Sequence, residues 1–265
     1  MSRTSDRKEL LKDFYGGIDE DARLCKSRHG QLEYMTTMEY IHRYLKAGDK
    51  VLEIGAGTGR YSVSLANEGF EVTAVELVES NLEVLKKNSA HLKNIHALQG
   101  DALDLSQFAD NSFDVTLLFG PMYHLYDKTD QNKAIDEAIR VTKKGGVILT
   151  AFLSVHAIMY VNYLSGNFEA GLKENFDEDY KTRHFTQQLF TGFEIPEFES
   201  LFAEKPVEHL LTCGTDSLLE LAEHGKDFKM SDHDFKLFYK YYLANCEKRE
   251  LLGSASHLLF VGKKR

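Results

Sequence analysis

The sequence predicts an α/β fold in which a mostly parallel sheet lies between helices. From residue 50 to residue 153, short apolar segments alternate with segments whose apolar residues recur every three or four positions. The short segments are rich in Val, Ile, Leu and Phe, as strands buried on both faces are. Alternation at this spacing implies right-handed crossovers and parallel strands.

Composition limits the class of protein. The chain has 265 residues, of which 43% are hydrophobic and 28% charged, which is typical of one large globular domain with insertions. The net charge of −9 disfavours a nucleic-acid partner, because such binding neutralises phosphates. The scattered Cys25, Cys213 and Cys246 favour reduced thiols and a cytoplasmic location. No apolar segment has the length of a signal peptide core or a membrane span, so no membrane association is expected.

The elements follow in order. Residues 1–48 predict an N-terminal helical cap, interrupted by Gly16-Gly17 and Gly30 and ended by Gly48-Asp49. Residues 49–265 are expected to form the core of the same compact domain. Its first five strands are predicted at 50–54, 71–76, 94–99, 113–119 and 146–153. Helices are predicted at 60–68, 79–90 and 130–142, and Lys143 to Gly146 is interpreted as the end of the last one.

After residue 153 the alternation stops. Residues 154–205 are rich in Phe and Tyr, Phe190 among them, and contain no clear strand. Two short strands are predicted at 207–212 and 257–262, with a second insertion at 214–253. Within it, Ser231 to Asp234 has the pattern of a helix start. The two insertions are expected to form a helical lid over the ends of the strands.

A glycine loop and three acids indicate a nucleoside-like ligand. The first strand runs into Gly55, Gly57 and Gly59, a spacing that allows a sharp turn and close approach of a ligand. Glu53 lies in that strand, Glu76 ends the second strand and Asp101 follows the third. Such acids suit an amine, a ribose diol and an adenine. A carboxylate at Glu76 would repel a 2′-phosphate, and the loop lacks the Gly-x-Gly-x-x-Gly spacing of dinucleotide sites, which disfavours a nicotinamide-dependent dehydrogenase.

In these features the chain resembles the class I S-adenosyl-L-methionine-dependent methyltransferases, a family of transferases. The resemblance covers about residues 49–153, and more loosely the final strand. It rests on five motifs in order: Glu53-Ile-Gly-Ala-Gly-Thr-Gly59, Val75-Glu76, Gly100-Asp101-Ala102, Phe113-Asp114-Val115 and Lys144-Gly-Gly146. It implies a Rossmann-like doubly wound sheet of seven strands, mostly parallel, with a reversed last strand.

The resemblance also implies a set of cofactor contacts. Glu53, Gly55 and Ala56 would border the methionine end of S-adenosylmethionine, and Gly57 and Gly59 would allow close approach along the loop. The ribose would contact Glu76 and Leu77, the adenine Asp101 and Ala102, and the sulfonium Phe119. From the cap, Tyr15, Arg28 and Glu33 are candidates to close over the methionine end or to line the acceptor pocket; ordinary surface roles are the alternative.

Candidate catalytic residues follow the fourth strand. Phe119-Gly-Pro-Met-Tyr-His-Leu125 resembles a stretch found in some bacterial small-molecule methyltransferases. Tyr123 and His124 are expected at the pocket floor. His124 is a candidate general base, since a free histidine titrates near neutrality; the alternative is that it only orders the loop. No metal site is predicted, because His233 and His257 show no ligand spacing with a Cys or an acid.

Three functions remain open. The favoured one is methyl transfer to an O, N or C atom of a small-molecule acceptor held under the lid. A methyltransferase acting on protein or RNA is the second, and a non-catalytic S-adenosylmethionine-binding protein is the third. The sequence does not indicate the acceptor or the oligomeric state.

Overall fold

The computed structural model describes residues 3–17, 20–185 and 188–265. Residues 1–2 and 18–19 of the predicted cap, and 186–187 of the first predicted insertion, lie outside the described residues. Within the described part of the chain, no helix is both long enough and apolar enough to cross a bilayer.

One sheet organises the molecule. Its strands are β1 (Lys50–Ile54), β2 (Glu71–Glu76), β3 (Ile95–Gln99), β4 (Phe113–Leu118), β5 (Thr142–Ser154), β6 (Gly192–Phe193), β7 (Val207–Gly214) and β8 (His257–Lys264). Seven of them follow the order β3-β2-β1-β4-β5-β8-β7, and the two-residue β6 pairs with β5 beside this path. The last strand, β8, runs antiparallel to both β5 and β7. The predicted α/β class, mostly parallel with a reversed last strand, is confirmed; β6 is an eighth strand that the sequence did not indicate.

The helices cover both faces of the sheet and its edges. They are α1 (Arg3–Gly16), α2 (Arg23–Lys26), α3 (Arg28–Tyr44), α4 (Arg60–Asn67), α5 (Glu79–Ser89), α6 (Lys128–Val141), α7 (Val155–Ile158), α8 (Phe168–Asn175), α9 (Ile195–Ser200), α10 (Leu219–Glu223), α11 (Asp232–Leu243) and α12 (Arg249–Leu252). A short 3-10 turn spans Pro121–Tyr123 and a π-helical turn Met159–Tyr163.

Side-chain alternation along the strands divides the core into two layers. Val51 packs with Tyr40 of α3 and Leu65 of α4 on one face. The next residue, Leu52, packs with Ile135 of α6 on the other. All five side chains are at most 1% exposed, and burying a residue of this size stabilises the fold by roughly 1.5–3 kcal/mol. The continuous apolar strands of the sequence are therefore those of a sheet with helices on both faces.

One predicted boundary is wrong. Lys143 to Gly146 does not end a helix: α6 already ends at Val141, and the four residues belong to β5. Thr142 pairs with Phe113, and Lys143 Nζ binds both oxygens of Asp114 at 2.8 Å. A side chain at position 146 would meet the Asp114 carbonyl oxygen at 2.6 Å, so this glycine permits the strands to approach across the bulge.

The N-terminal helix lies over the carboxyl ends of the strands. Arg7 of α1 binds Asp101, just after β3, and Tyr15 of the same helix binds His124, after β4. The separation of these two contacts places α1 across the crevice between them. The division into a 1–48 cap and a 49–265 core stays a prediction.

Candidate active site

A cavity of about 480 Å³ lies at the carboxyl ends of the central strands. The glycine loop forms one wall, α1 covers it, and Ala157 to Asn162 close the far side. Of the predicted site residues, all but Gly59 and Arg28 line it: Tyr15, Glu53, Gly55, Ala56, Gly57, Glu76, Leu77, Asp101, Ala102, Phe119, Tyr123 and His124. Ligands of open α/β sheets bind at this edge.

The glycine loop bends where no side chain fits. Gly55 and Gly59 have φ angles of 82° and 91°, which favour glycine. A Cβ on Gly55 would come within 2.1 Å of the Phe119 carbonyl oxygen, so glycine lets the loops after β1 and β4 meet. A Cβ on Gly59 would lie 2.2 Å from Leu85 of α5. Gly59 therefore serves helix packing and does not face the cavity.

Glu76 ties the loop to the end of β2. Its Oε2 accepts a hydrogen bond from Gly57 N–H at 2.6 Å, and its Oε1 accepts one from Val78 N–H at 2.7 Å. The residue is only 5% exposed, and burial raises its pKa against the effect of these bonds. Each carboxylate oxygen retains accepting capacity beyond its one backbone bond, so the pair suits two neighbouring hydroxyls.

Glu53 is a buried acid at the same wall. It is 1% exposed and accepts a hydrogen bond from the Ser62 hydroxyl. Burial raises the pKa of Glu53 to about 8, so the group is mostly protonated at neutral pH and can donate as well as accept.

Asp101 has a partner that the sequence did not indicate. Its two oxygens accept from Arg7 at 2.8 and 2.7 Å, and Leu103 N–H donates to it at 3.1 Å. The Arg7 and Asp101 side chains are 7% and 13% exposed, so this is a largely buried ion pair. The acid predicted to receive an adenine amine is thus also an anchor for α1.

His124 lies on the cavity wall, but its basic nitrogen is engaged. Nδ1 donates to the Leu189 carbonyl oxygen at 2.6 Å, which leaves Nε2 to accept from the Tyr15 hydroxyl at 3.0 Å. Burial lowers the pKa of His124 to about 4, so the ring is neutral at physiological pH. This geometry favours the alternative considered for His124, an ordering role that joins α1 to the loop after β4.

A second histidine, His257, occupies the opposite end of the cavity with Tyr123. The two rings are 5.9 Å apart. His257 Nδ1 donates to Asp216 Oδ2 at 2.6 Å, and Asp216 is completely buried. Burial opposes protonation of His257, but the carboxylates of Glu33 and Asp216 outweigh it and raise its pKa to about 9.

Glu33 and Arg23 form an ion pair between the two ends, in which the Glu33 side chain is buried and the Arg23 side chain is partly exposed. Arg23 donates to both oxygens of Glu33, at 2.8 and 3.2 Å, and to Glu20 at 2.9 Å. Burial of the Glu33 carboxyl is outweighed by Arg23 and His257, which lower its pKa. Glu33 therefore lies in the cavity wall, as the sequence suggested, and it is negatively charged.

Arg28 is placed elsewhere. It pairs with Asp232 of α11, donates to the Met230 carbonyl oxygen at 3.4 Å and lies 4.8 Å over the Phe235 ring. These contacts hold α3 against α11, outside the cavity. The prediction of Arg28 as a cofactor contact is not supported by its position.

Comparison with known proteins agrees with this arrangement. A family model described as a methyltransferase domain matches residues 52–150, the segment that carries the glycine loop, Glu76 and Asp101. This segment is a domain of the class I S-adenosylmethionine-dependent methyltransferases. Residues 1–51 and 151–265 of the chain lie outside the matched segment.

The curated relatives match over part of their length. A demethylmenaquinone methyltransferase of Staphylococcus haemolyticus is 39% identical over 110 residues, which is 40% of this chain and 44% of that relative. One from Paenarthrobacter aurescens is 37% identical over 126 residues, 45% of this chain and 47% of its own. The chain thus matches less than half the length of these two relatives.

Solved structures match over more of the chain and support the fold. Geranyl diphosphate C-methyltransferase from Streptomyces coelicolor is 15% identical with a TM-score of 0.59, covering 98% of both chains. A methyltransferase from Methanosarcina mazei is 19% identical with a TM-score of 0.56, covering 85% of this chain and 96% of its own.

The residues present fit S-adenosylmethionine, the cofactor of this family. Space is open beside Gly57, because the nearest atom to a Cβ placed on this residue would be Glu20 Cγ, at 3.9 Å. A buried carboxylate, Glu76, stands next to this gap with accepting capacity left on both oxygens. Glu76 would hold the ribose hydroxyls, Asp101 the adenine amine and Glu53 the methionine end.

Proposed function

We propose that this protein transfers a methyl group from S-adenosylmethionine to a small-molecule acceptor enclosed beneath α1 and residues 157–162. The observation that carries the proposal is the continuity of the cavity. It runs from Glu76 at one end to His257 at the other, and it is covered by side chains of α1 and of the π-helical turn. An acceptor held there would be shielded from water beside the predicted sulfonium position at Phe119.

Bound S-adenosylmethionine supplies a methyl group on a positive sulfur that is already activated for displacement. The protein therefore mainly orients the acceptor and excludes water. Phe119 and Tyr61 pack edge to face at 5.2 Å and both line the cavity, which gives this part of the wall a rigid apolar surface. Tyr15, hydrogen bonded to His124, fixes α1 above it.

The names of relatives support a small acceptor. Curated relatives act on demethylmenaquinone and one structural neighbour acts on geranyl diphosphate, both small molecules. A protein or RNA substrate would require an open cleft, whereas this cavity is lined by helices on two sides.

The test separates cofactor binding from turnover. Calorimetry should show binding of S-adenosylhomocysteine and none of NAD. With labelled S-adenosylmethionine, label should pass into a metabolite extract and not into an RNA pool or a denatured protein mixture. Binding without transfer to any of these would favour the non-catalytic alternative, and transfer to RNA or protein would favour the macromolecular one.

A further inference from the structure

The end of the cavity formed by Tyr123, Thr215, Glu220, Ser256 and His257, here called the acceptor end, contains polar atoms without partners. Glu220 makes no hydrogen bond or ion pair with any described residue. The same holds for the Tyr123 hydroxyl and for Nε2 of His257, whose side chain is 17% exposed. Both of these atoms are accessible to solvent, so both face open space in the cavity.

The charges around this end are unequal. Two cations, Arg23 and His257, lie among three carboxylates: Glu33, Asp216 and Glu220. Arg23 donates to Glu33, and also to Glu20 toward the cofactor end, while His257 is hydrogen bonded to Asp216. Glu220 remains as a partly buried carboxylate without a cation, and a buried charge is costly until it is paired. The acceptor end therefore lacks a positive charge that would pair with Glu220.

Of the residues that define the acceptor end, Tyr123 lies in the segment that matches the family model and the other four lie outside it. Glu33, Asp216, Glu220 and His257 are outside residues 52–150, whereas the predicted cofactor contacts of the loop, β2 and β3 are inside it. The family match therefore does not extend to the carboxylates and the histidine at this end of the cavity.

We propose that the methyl acceptor is a small amine, which binds as its ammonium ion to Glu220 and loses a proton to Nε2 of His257. This inference rests on the proposed function and narrows it to N-methylation. The apolar walls beside the site, Leu153, Ile158 and Phe190, would pack against the carbon part of such an amine. The Tyr123 hydroxyl is free to donate to or accept from a further polar group.

The proton transfer has a defined direction. One N–H bond of the ammonium breaks, its electron pair stays on the nitrogen as the nucleophilic lone pair, and the proton joins Nε2. Asp216, bonded to Nδ1, orients the ring and stabilises the imidazolium that results. The charged and titratable groups around His257 are Asp216, Glu220, Glu33, Arg23 and Tyr123.

Binding should release a proton at neutral pH. His257 is protonated in the free protein, because its pKa is about 9, and a small amine is protonated in solution. Nε2 can accept the proton of the amine only when it carries none itself, so one proton leaves to solvent as the amine binds. The release should disappear as the pH rises above the pKa of His257.

A metal ion is the other source of positive charge. Asp216, Glu220 and His257 each offer an atom within 4.8 Å of the others. However, Asp216 already accepts from Ser256 N–H, His257 N–H and His257 Nδ1. Only Glu220 and Nε2 are left to ligate a metal, fewer than the three protein ligands of catalytic zinc sites.

The experiment uses matched pairs of probes with saturating S-adenosylhomocysteine. Ethanolamine, histamine and tyramine are each compared by calorimetry with the alcohol that replaces the amino group, and tyramine also with 4-hydroxyphenylacetate. We expect at least one amine to bind about tenfold or more tightly than its alcohol, and the carboxylate to bind most weakly. Glu220→Gln should remove the difference, and His257→Gln should abolish proton release measured in buffers of different ionisation enthalpy.

The controls use a surface pair of the same residue types. Glu68→Gln and His42→Gln, about 40% exposed and bonded to each other, should change neither readout. If wild-type protein fails to bind S-adenosylhomocysteine, the proposed function fails. If it binds S-adenosylhomocysteine but no amine exceeds its alcohol, or binding releases no proton, or Zn²⁺ alone binds tightly at the acceptor end, the amine proposal is overturned while the proposed function stands.

Discussion

Removal of the Glu76 carboxylate should weaken adenosine binding selectively. Glu76 is held by the N–H groups of Gly57 and Val78, and each of its oxygens can accept a further bond from a ribose hydroxyl. Glu76→Ala deletes both acceptors and releases the Gly57 N–H from its partner. The variant therefore loses ligand contacts and loop order together.

The magnitude follows from the hydrogen bonds involved. A hydrogen bond to a charged group contributes about 1.5–3 kcal/mol, and water entering the space replaces part of what is lost. We expect a net loss of about 2 kcal/mol, which is roughly a thirtyfold rise in the Kd for S-adenosylhomocysteine. The free energy of unfolding should also fall by about 1–3 kcal/mol, because two backbone N–H groups lose their acceptor.

Calorimetry at a temperature where the variant is folded measures the first effect, and thermal unfolding measures the second. Glu83→Ala is the matched control, since Glu83 is exposed on the neighbouring α5 and contacts neither the loop nor the cavity. Equal affinity of wild type, Glu83→Ala and Glu76→Ala would refute the placement of the ribose.

Three further predictions concern buried ionisable groups. The pKa of Glu53 is raised to about 8 in the folded state, above the pKa of the same group in the unfolded chain. The folded state therefore loses stability as the pH rises from that lower pKa through 8. Glu53→Gln should therefore reduce the fall in unfolding free energy between pH 5 and 8, by roughly 2–4 kcal/mol, in urea titrations; an unchanged slope would contradict the assignment. The lowered pKa of His124, about 4, gives stability that is present above pH 6.5 and lost as the pH falls toward 4. His124→Asn should flatten that acid limb, and a limb as steep as wild type would exclude His124 as its source. Arg7→Ala breaks the buried pair with Asp101, so amide hydrogen exchange in α1 should accelerate at least about tenfold; unchanged exchange would mean that the pair does not hold the helix.

The sheet could be predicted because its signals are local. The bounds of Lys50–Ile54 and Glu71–Glu76 agree with the prediction to the residue, since each is a short segment rich in aliphatic residues that ends at a glycine or an acid. The junction at Val141 was missed because Lys-Lys-Gly-Gly is also typical of a helix end. What makes residues 142–146 a strand is pairing with Phe113 and the ion pair with Asp114, and neither partner is visible in the local sequence.

The residues of the site also differ in whether the local sequence predicts their position. Gly55, Glu76 and Asp101 each follow a strand of known position, so their convergence at one edge of the sheet could be expected. Arg7 is 94 residues from Asp101, and Asp216 is 41 residues from His257. No spacing rule relates such pairs, because their proximity depends on how α1 and the turn after β7 pack on the finished sheet.

The two ends of the cavity come from different parts of the chain, which affects how the choice of acceptor is encoded. The cofactor end is built from turns within residues 52–150, where any change would disturb the strands that carry it. The acceptor end is built from Tyr123 after β4, from Thr215 and Glu220 after β7, and from Ser256 and His257 where β8 begins, so most of it lies outside that segment. Glu220 and His257 could therefore be replaced by other polar or apolar residues while Glu76 and the glycine loop keep their geometry. Function is determined by such sites more than by the fold that carries them, so the charge of the acceptor end narrows the acceptor beyond the small-molecule class that the names of relatives support.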